Sequence, residues 1–185
     1  MNFISSDDPF WGTFLGQFYI ELLGGTISAL IFLFLLLWLF KPKVSMANFI
    51  CFNTTGGYYV FKFVNMSCFA AHDIHVELHK IRRIPMGSGL VNNEYEKLSL
   101  VNGHISHVPG RAFKINKNKA NPHCILVRSH ENINTILRDD MNAVALKISL
   151  KHGLTGLSNV FEQEFGNPED VRTGKFKPGT KFGNI

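Results

Sequence analysis

The sequence predicts an all-β cytoplasmic domain, an antiparallel sandwich or small barrel, behind one N-terminal transmembrane helix. Three observations carry this. An uncharged run of 19 residues, Leu22 to Phe40, lies near the start of the 185-residue chain. After Pro42 the continuous apolar pattern gives way to short segments alternating at period two, the mark of half-buried strands. Turn residues punctuate those segments, among them Asn102-Gly103, Pro109-Gly110 and Pro178-Gly179.

The run LLGGTISALIFLFLLLWLF crosses most of a hydrocarbon core about 30 Å thick at about 1.5 Å per residue. Phe10 to Ile20 is also apolar or weakly polar, so the helix can begin near Trp11 and tilt. Trp11, Tyr19 and Trp38 are aromatics of the type that prefer membrane interfaces. Gly24-x-x-x-Ser28 is a small-residue spacing tolerated in lipid. A cleaved signal peptide would need a basic start, a shorter apolar core and a small-residue cleavage site. Here Asp7 and Asp8 precede the run and Lys41-Pro42-Lys43 follows it, which predicts a retained anchor. The same flanks place the N-terminus outside and the rest of the chain in the cytoplasm, at an inner or plasma membrane. The sequons Asn53-Thr54-Thr55 and Asn65-Met66-Ser67 matter only on the opposite side. Glu21, at the edge of the span, reads either as a headgroup-level residue or as a pore-lining or partner-contacting carboxylate.

The division expected is therefore residues 1–45 for tail and span, and 46–185 for the β-domain. No Lys or Arg precedes Lys41. All nineteen basic residues follow, against eleven of the fourteen acidic ones, a surplus of eight. That surplus favours anionic partners. Cys51, Cys68 and Cys124 are far apart with no CxxC spacing, as free thiols in a reducing compartment would be.

Along the domain, Tyr58 to Ser67 is rich in aromatic and β-branched residues and reads as a strand. From His72 to Ile84, Ile74, Val76 and Leu78 alternate with His75, Glu77 and His79, giving a strand with one wet face. Leu98 to Leu100, Ile105 with Val108, and Cys124 to Arg128 are shorter candidates. Asn142 to Lys151 alternates most clearly, with Val144, Leu146, Ile148 and Leu150 on one side. A final pair is expected around Phe176 and Phe182. Glu131 to Asp139 and Ser158 to Phe165 read as short helices, neither long enough for a βαβ crossover, which argues against a parallel sheet.

Chemistry-bearing motifs are sparse. The sequence holds no nucleophile elbow and no phosphate-binding glycine loop, so it predicts neither an enzyme nor a cofactor. The spacing His72-x-x-His75-x-x-x-His79 suits a metal on a helix, but this segment alternates as a strand. There His75, Glu77 and His79 share a face at about 6.5 Å steps. With no further ligand evident, a solvated sheet face is the expectation and no metal is assigned. Asp139-Asp140 precedes a strand where a turn is expected. His152-Gly153-Leu154-Thr155-Gly156 reads as a structural corner. Two basic clusters remain: Lys80, Arg82 and Arg83 at a strand end, and the loop carrying Arg111, Lys114, Lys117 and Lys119. They are candidates for lipid headgroups, at about 1 kcal/mol per cation near an anionic leaflet, or for another anionic ligand. Direct nucleic-acid binding is not expected.

An N-terminal span is followed by Phe61-Lys-Phe-Val-Asn65, Asp73-Ile-His-Val-Glu-Leu78, Ala145-Leu-Lys-Ile-Ser-Leu-Lys-His-Gly-Leu-Thr-Gly156 and Gly174-Lys-Phe-Lys-Pro-Gly179. As a whole this resembles small bacterial membrane-anchored β-domain proteins of the anti-phage effector type. It also resembles the immunoglobulin-like cytoplasmic domain of inward-rectifier-type channels. The resemblance implies an immunoglobulin-like sandwich and a membrane-perturbing or pore-forming effector, held inactive until a partner or signal changes its oligomeric state. One span cannot line a pore alone, so that reading needs a homo-oligomer or a partner protein in the bilayer. The competing expectation is a non-enzymatic accessory or scaffold subunit that localises a cytoplasmic partner.

Overall fold

The computed structural model describes residues 9–39, 41–111 and 121–185. The chain divides into two compact units, Met1–Phe40 and Lys41–Ile185. In the first, α1 runs from Pro9 to Leu39. Proline suits the first helical turn, where its missing N–H costs no hydrogen bond. The stretch Thr13–Trp38 is long and apolar enough to cross a membrane. Glu21 is its one carboxylate, with no Lys or Arg beside it, and Thr26 returns its hydroxyl to the Leu22 carbonyl at 2.8 Å.

The second unit is a β-sandwich of two five-stranded sheets. In chain order the strands are β1 (Val44–Met46), β2 (Ile50–Asn53), β3 (Tyr58–Asn65), β4 (Ala71–Gly87), β5 (Leu90–Leu98) and β6 (His104–Val108). They continue with β7 (Cys124–Ser129), the short helix α2 (Ile133–Leu137), β8 (Asn142–His152), β9 (Ser158–Phe165) and β10 (Val171–Thr173). One sheet is built on β3, with β7 along one edge and β1 and β2 sharing the other. The second sheet runs β5-β4-β8-β9, and β6 takes the part of the β4 edge that β5 leaves.

The core lies between the sheets. Phe61 and Phe63 from one meet Ile74, Leu78, Leu146, Ile148 and Phe165 from the other, all at most 2% exposed. The alternation read in β4 and β8 is therefore the inward face. Strand β3 departs from it and is buried on both faces. Its second face is covered by the C-terminal segment, where Phe176 joins Ala47, Phe49, Cys51 and Val60. That segment doubles back through a bridge between Phe176 and Asn184, in place of a full strand pair around Phe176 and Phe182.

Three sequence expectations need correction. Ser158 to Phe165 is a strand, not a helix, paired with β8 from Val144↔Phe165 to Lys151↔Ser158. Phe161 and Phe165 are spaced as on a helix, but an eight-residue helix is marginal alone, whereas the open edge of β8 offers a full ladder. Among the described residues one parallel pair exists, β10 on β2 over three residues, reached from β9 through the short 3-10 turn Pro168–Asp170 and not by a βαβ crossover. Strand β5 has no counterpart among the expected strands, because Leu-Val-Asn-Asn-Glu-Tyr-Glu-Lys-Leu has no wet and dry side: its first eight residues are exposed on both faces. Glu131 to Asp139, in contrast, does contain the short helix, capped by Asn132, whose side chain accepts from the Thr135 N–H.

Candidate functional site

Two features stand out on the second sheet. The first is an arm. Residues Arg82 to Gly87 of β4 and all of β5 before Leu98 lie beyond the packed core, joined by a two-residue turn at Ser88 and Gly89. Both turn residues have positive φ, +52° and +77°, as tight hairpin turns demand. The tip from Ile84 to Asn93 bears no charge and exposes Ile84, Met86, Leu90 and Val91. Among the described residues no strand pairs with the outer edge of β5, whose one neighbour in the sheet is β4.

The basic cluster expected at this strand end is present, but two of its three cations form ion pairs and the third stands across the ladder from a carboxylate. Lys80 lies 3.5 Å from Glu96, Arg82 is directly opposite Glu94, and Arg83 pairs with Glu164 of β9. The register produces this, and sequence distance hides it. The three cations and three carboxylates cancel locally, which leaves the arm without the surplus that an anionic ligand would need. Arg111 is exposed and far along the chain from them, its N–H bonded to the Ser67 carbonyl at 2.8 Å. Lys114, Lys117 and Lys119 lie outside the described residues. Glu21 is exposed on α1.

The second feature is a histidine face. In β4 a bulge between His72 and His75 opposes two residues to one of β8, and Asp73 sits in it at φ +51°. The left-handed conformation is costly for most residues, and Asp and Asn tolerate it best. The bulge leaves Ala71 and Ile74 inward, with His72 and His75 exposed three residues apart. Across the ladder, His72 faces His107 and His75 faces His104. The ring centroids are 4.8 and 4.7 Å apart in the two pairs.

Asp73 ties the group together. Its Oδ1 lies 3.0 Å from His75 Nε2 and 3.4 Å from His104 Nε2, while Lys151 of β8 donates to Oδ2 at 2.6 Å. The lysine hydrogen bond above all, then those of His104 and His75, holds the Asp73 carboxyl down at about 2. His79 does not join them, and neither does Glu77, which accepts from Lys97 at 2.8 Å and is held below the usual carboxylate range by that bond. The metal-like spacing in the sequence thus contributes one histidine. The other groups, Asp73 and His104, come from the bulge and from the neighbouring strand. A His-x-x-His segment at residues 104–107 matching one at 72–75 was the available signal.

Beside this face, where β5 leaves β4 and β6 takes over, an open groove of about 670 Å³ is lined by His75, Glu77, Lys97, Gly103, His104 and Glu131. Its floor is closed by the Val76 N–H bonding to the Gly103 carbonyl at 2.7 Å.

No family model matches the chain, and no curated protein does. Among solved structures it is similar to the ligand-binding region of Serine-glutamate repeat protein A (SgrA) of Enterococcus faecium, at 14% identity and a TM-score of 0.33. That match covers 72% of this chain and 98% of the other. So slight a likeness transfers no residue role. What fold and surface define is a β-sandwich protein with one N-terminal apolar helix, an open-edged arm and a histidine-lined sheet face.

Proposed function

We propose that the protein is a non-enzymatic, membrane-anchored docking subunit, whose sandwich lies in the cytoplasm and captures a protein partner along the arm. The observation that supports this is the open edge of β5: nine residues of unpaired ladder beside an uncharged apolar tip. Exposed edges are normally shortened, charged or covered, because they recruit strands. An edge kept long and exposed suits capture of an extended segment, with main-chain hydrogen bonds giving affinity and side chains giving selectivity.

The occupant is a different protein and not a second copy. The two-fold pairing that uses all nine residues of β5 sets Glu94 against Glu94, and like charges directly opposite destabilise a ladder. A lipid surface is the weaker match, because the cations of the arm are already neutralised by Glu94, Glu96 and Glu164. The pore-forming effector reading draws on one observation of its own, the single carboxylate Glu21 within an otherwise uncharged helix.

The test is site-specific photocrosslinking of the full chain in native membranes, with the probe at Asn92 on the arm and, as control, at Asn159 on β9. An adduct of one defined mass from Asn92 alone, lost when Leu90→Asp and Met86→Asp are introduced, supports docking. A chain-to-chain adduct as the main product from Asn92, or adducts identical from both positions, sinks it.

A further inference from the structure

The histidine face carries a metal-binding inference that is independent of the docking reading. Asp73, His75 and His104 each offer one ligand atom, and the three atoms lie within 4.8 Å of one another. Around zinc, with bonds of about 2.0–2.1 Å, neighbouring tetrahedral ligand atoms are about 3.3 Å apart. The two separations from the carboxylate oxygen, 3.0 and 3.4 Å, already bracket that value. The two imidazoles stand ring to ring with centroids 4.7 Å apart, and both are about half-exposed, at 53% and 57%, beside the open groove, which leaves room for them to adjust.

We propose that Asp73, His75 and His104 form a site for a divalent first-row transition ion, with zinc as its natural probe. Two imidazoles, borderline nitrogen donors, beside one carboxylate select such ions over calcium or magnesium, which take oxygen ligands alone. Three protein ligands leave coordination positions open, and the groove bounded by His75 and His104 gives solvent or a small anionic ligand access to them. Asp73 and His75, two apart on one strand, share a face in straight pairing; the bulge holds Asp73 at φ +51° with its Oδ1 3.0 Å from one imidazole and 3.4 Å from the other, and brings His72 round to the exposed side. Lys151 is the built-in competitor. Its ammonium satisfies Oδ2 and leaves Oδ1 as the metal ligand, so a bound dication sits beside a fixed positive charge. The site therefore binds more weakly than its ligands alone would allow.

The experiment is zinc titration of the tag-free full chain in detergent or nanodiscs, in competition with a chromophoric chelator. Cobalt substitution then reports ligand number through its visible absorption. One equivalent is expected to bind saturably. Asp73→Asn, which keeps the left-handed backbone, and His104→Gln are each expected to weaken binding tenfold or more. His72→Gln and His107→Gln are expected to leave it unchanged. Lys151→Gln is expected to tighten it severalfold, a gain that misfolding cannot imitate, and far-UV circular dichroism checks the sheet in every variant. Zinc uptake that survives Asp73→Asn and His104→Gln, or that depends on His72 and His107 instead, overturns the assignment. So does the absence of saturable binding at submillimolar zinc.

Discussion

Lys62 offers the sharpest test of how the sandwich is closed. It is 3% exposed, in the middle of β3, on the face turned away from the main core. Its ammonium donates to the Lys177 carbonyl at 2.7 Å and the Lys181 carbonyl at 3.0 Å, with the Phe176 and Phe182 rings 5.8 and 5.7 Å away. One cation thus pins both arms of the C-terminal segment. Lys62→Met keeps the apolar stem and removes the charge. Two charge-assisted hydrogen bonds are worth about 1.5–3 kcal/mol each. Against them stands the desolvation of a buried ammonium, which costs several kcal/mol. The freed carbonyls belong to exposed residues and can take up water, so the net loss expected is about 2 kcal/mol. For a domain of this size that is a fall in Tm of about 4–8 °C. Lys62→Ala also removes about three buried methylenes and should cost roughly 2 kcal/mol more. Burial lowers the Lys62 pKa, so the unfolded chain holds its proton to higher pH. Wild type should gain on Lys62→Met as pH rises through the folded value towards 10.5. Thermal unfolding of the full chain in detergent, with limited proteolysis of residues 174–185, measures both effects. A Lys62→Met protein as stable as wild type, its C-terminal segment cut no faster, would refute the clamp.

Three further predictions follow from the same packing. His152 is buried, with the Thr155 hydroxyl 3.2 Å from its Nδ1, and burial holds its pKa below 6.5. Below pH 6.5 the unfolded chain binds a proton that the folded one refuses, and stability should fall by up to about 1.4 kcal/mol per pH unit. His152→Asn, which retains an acceptor there but does not titrate, should flatten denaturant-measured stability between pH 6.5 and 5 relative to wild type. Cys51 is fully buried and pushed up to about 11, whereas Cys68 is exposed. A membrane-impermeant maleimide should therefore label Cys68 in inverted vesicles only, sparing Cys51 until denaturant is added; labelling of Cys68 in intact cells would reverse the proposed orientation. Under the docking reading, Glu21→Gln should leave arm crosslinking and membrane conductance unchanged, and an altered conductance would move the balance to the effector reading.

Local pattern was enough for much of the architecture. The apolar run became part of α1, because a helix satisfies its own backbone hydrogen bonds within one segment. Val144, Leu146, Ile148 and Leu150, with Ile74, Val76 and Leu78, were legible as core because strand period and burial coincide along one segment. Where burial does not alternate, the pattern fell silent: β5 is wet on both faces, and β3 is dry on both because a segment more than a hundred residues later folds over it. The candidate site was hidden for a related reason. Asp73 and His75 lie two apart on one strand, but His104 and Lys151 come from two others, and their meeting depends on the register of β6 and of β8 against β4. Register is set by the summed pairing of whole strands, so nothing local to any of the four residues encodes it. The same holds for Lys80, Arg82 and Arg83, a basic cluster in one dimension that the ladder converts into neutral pairs.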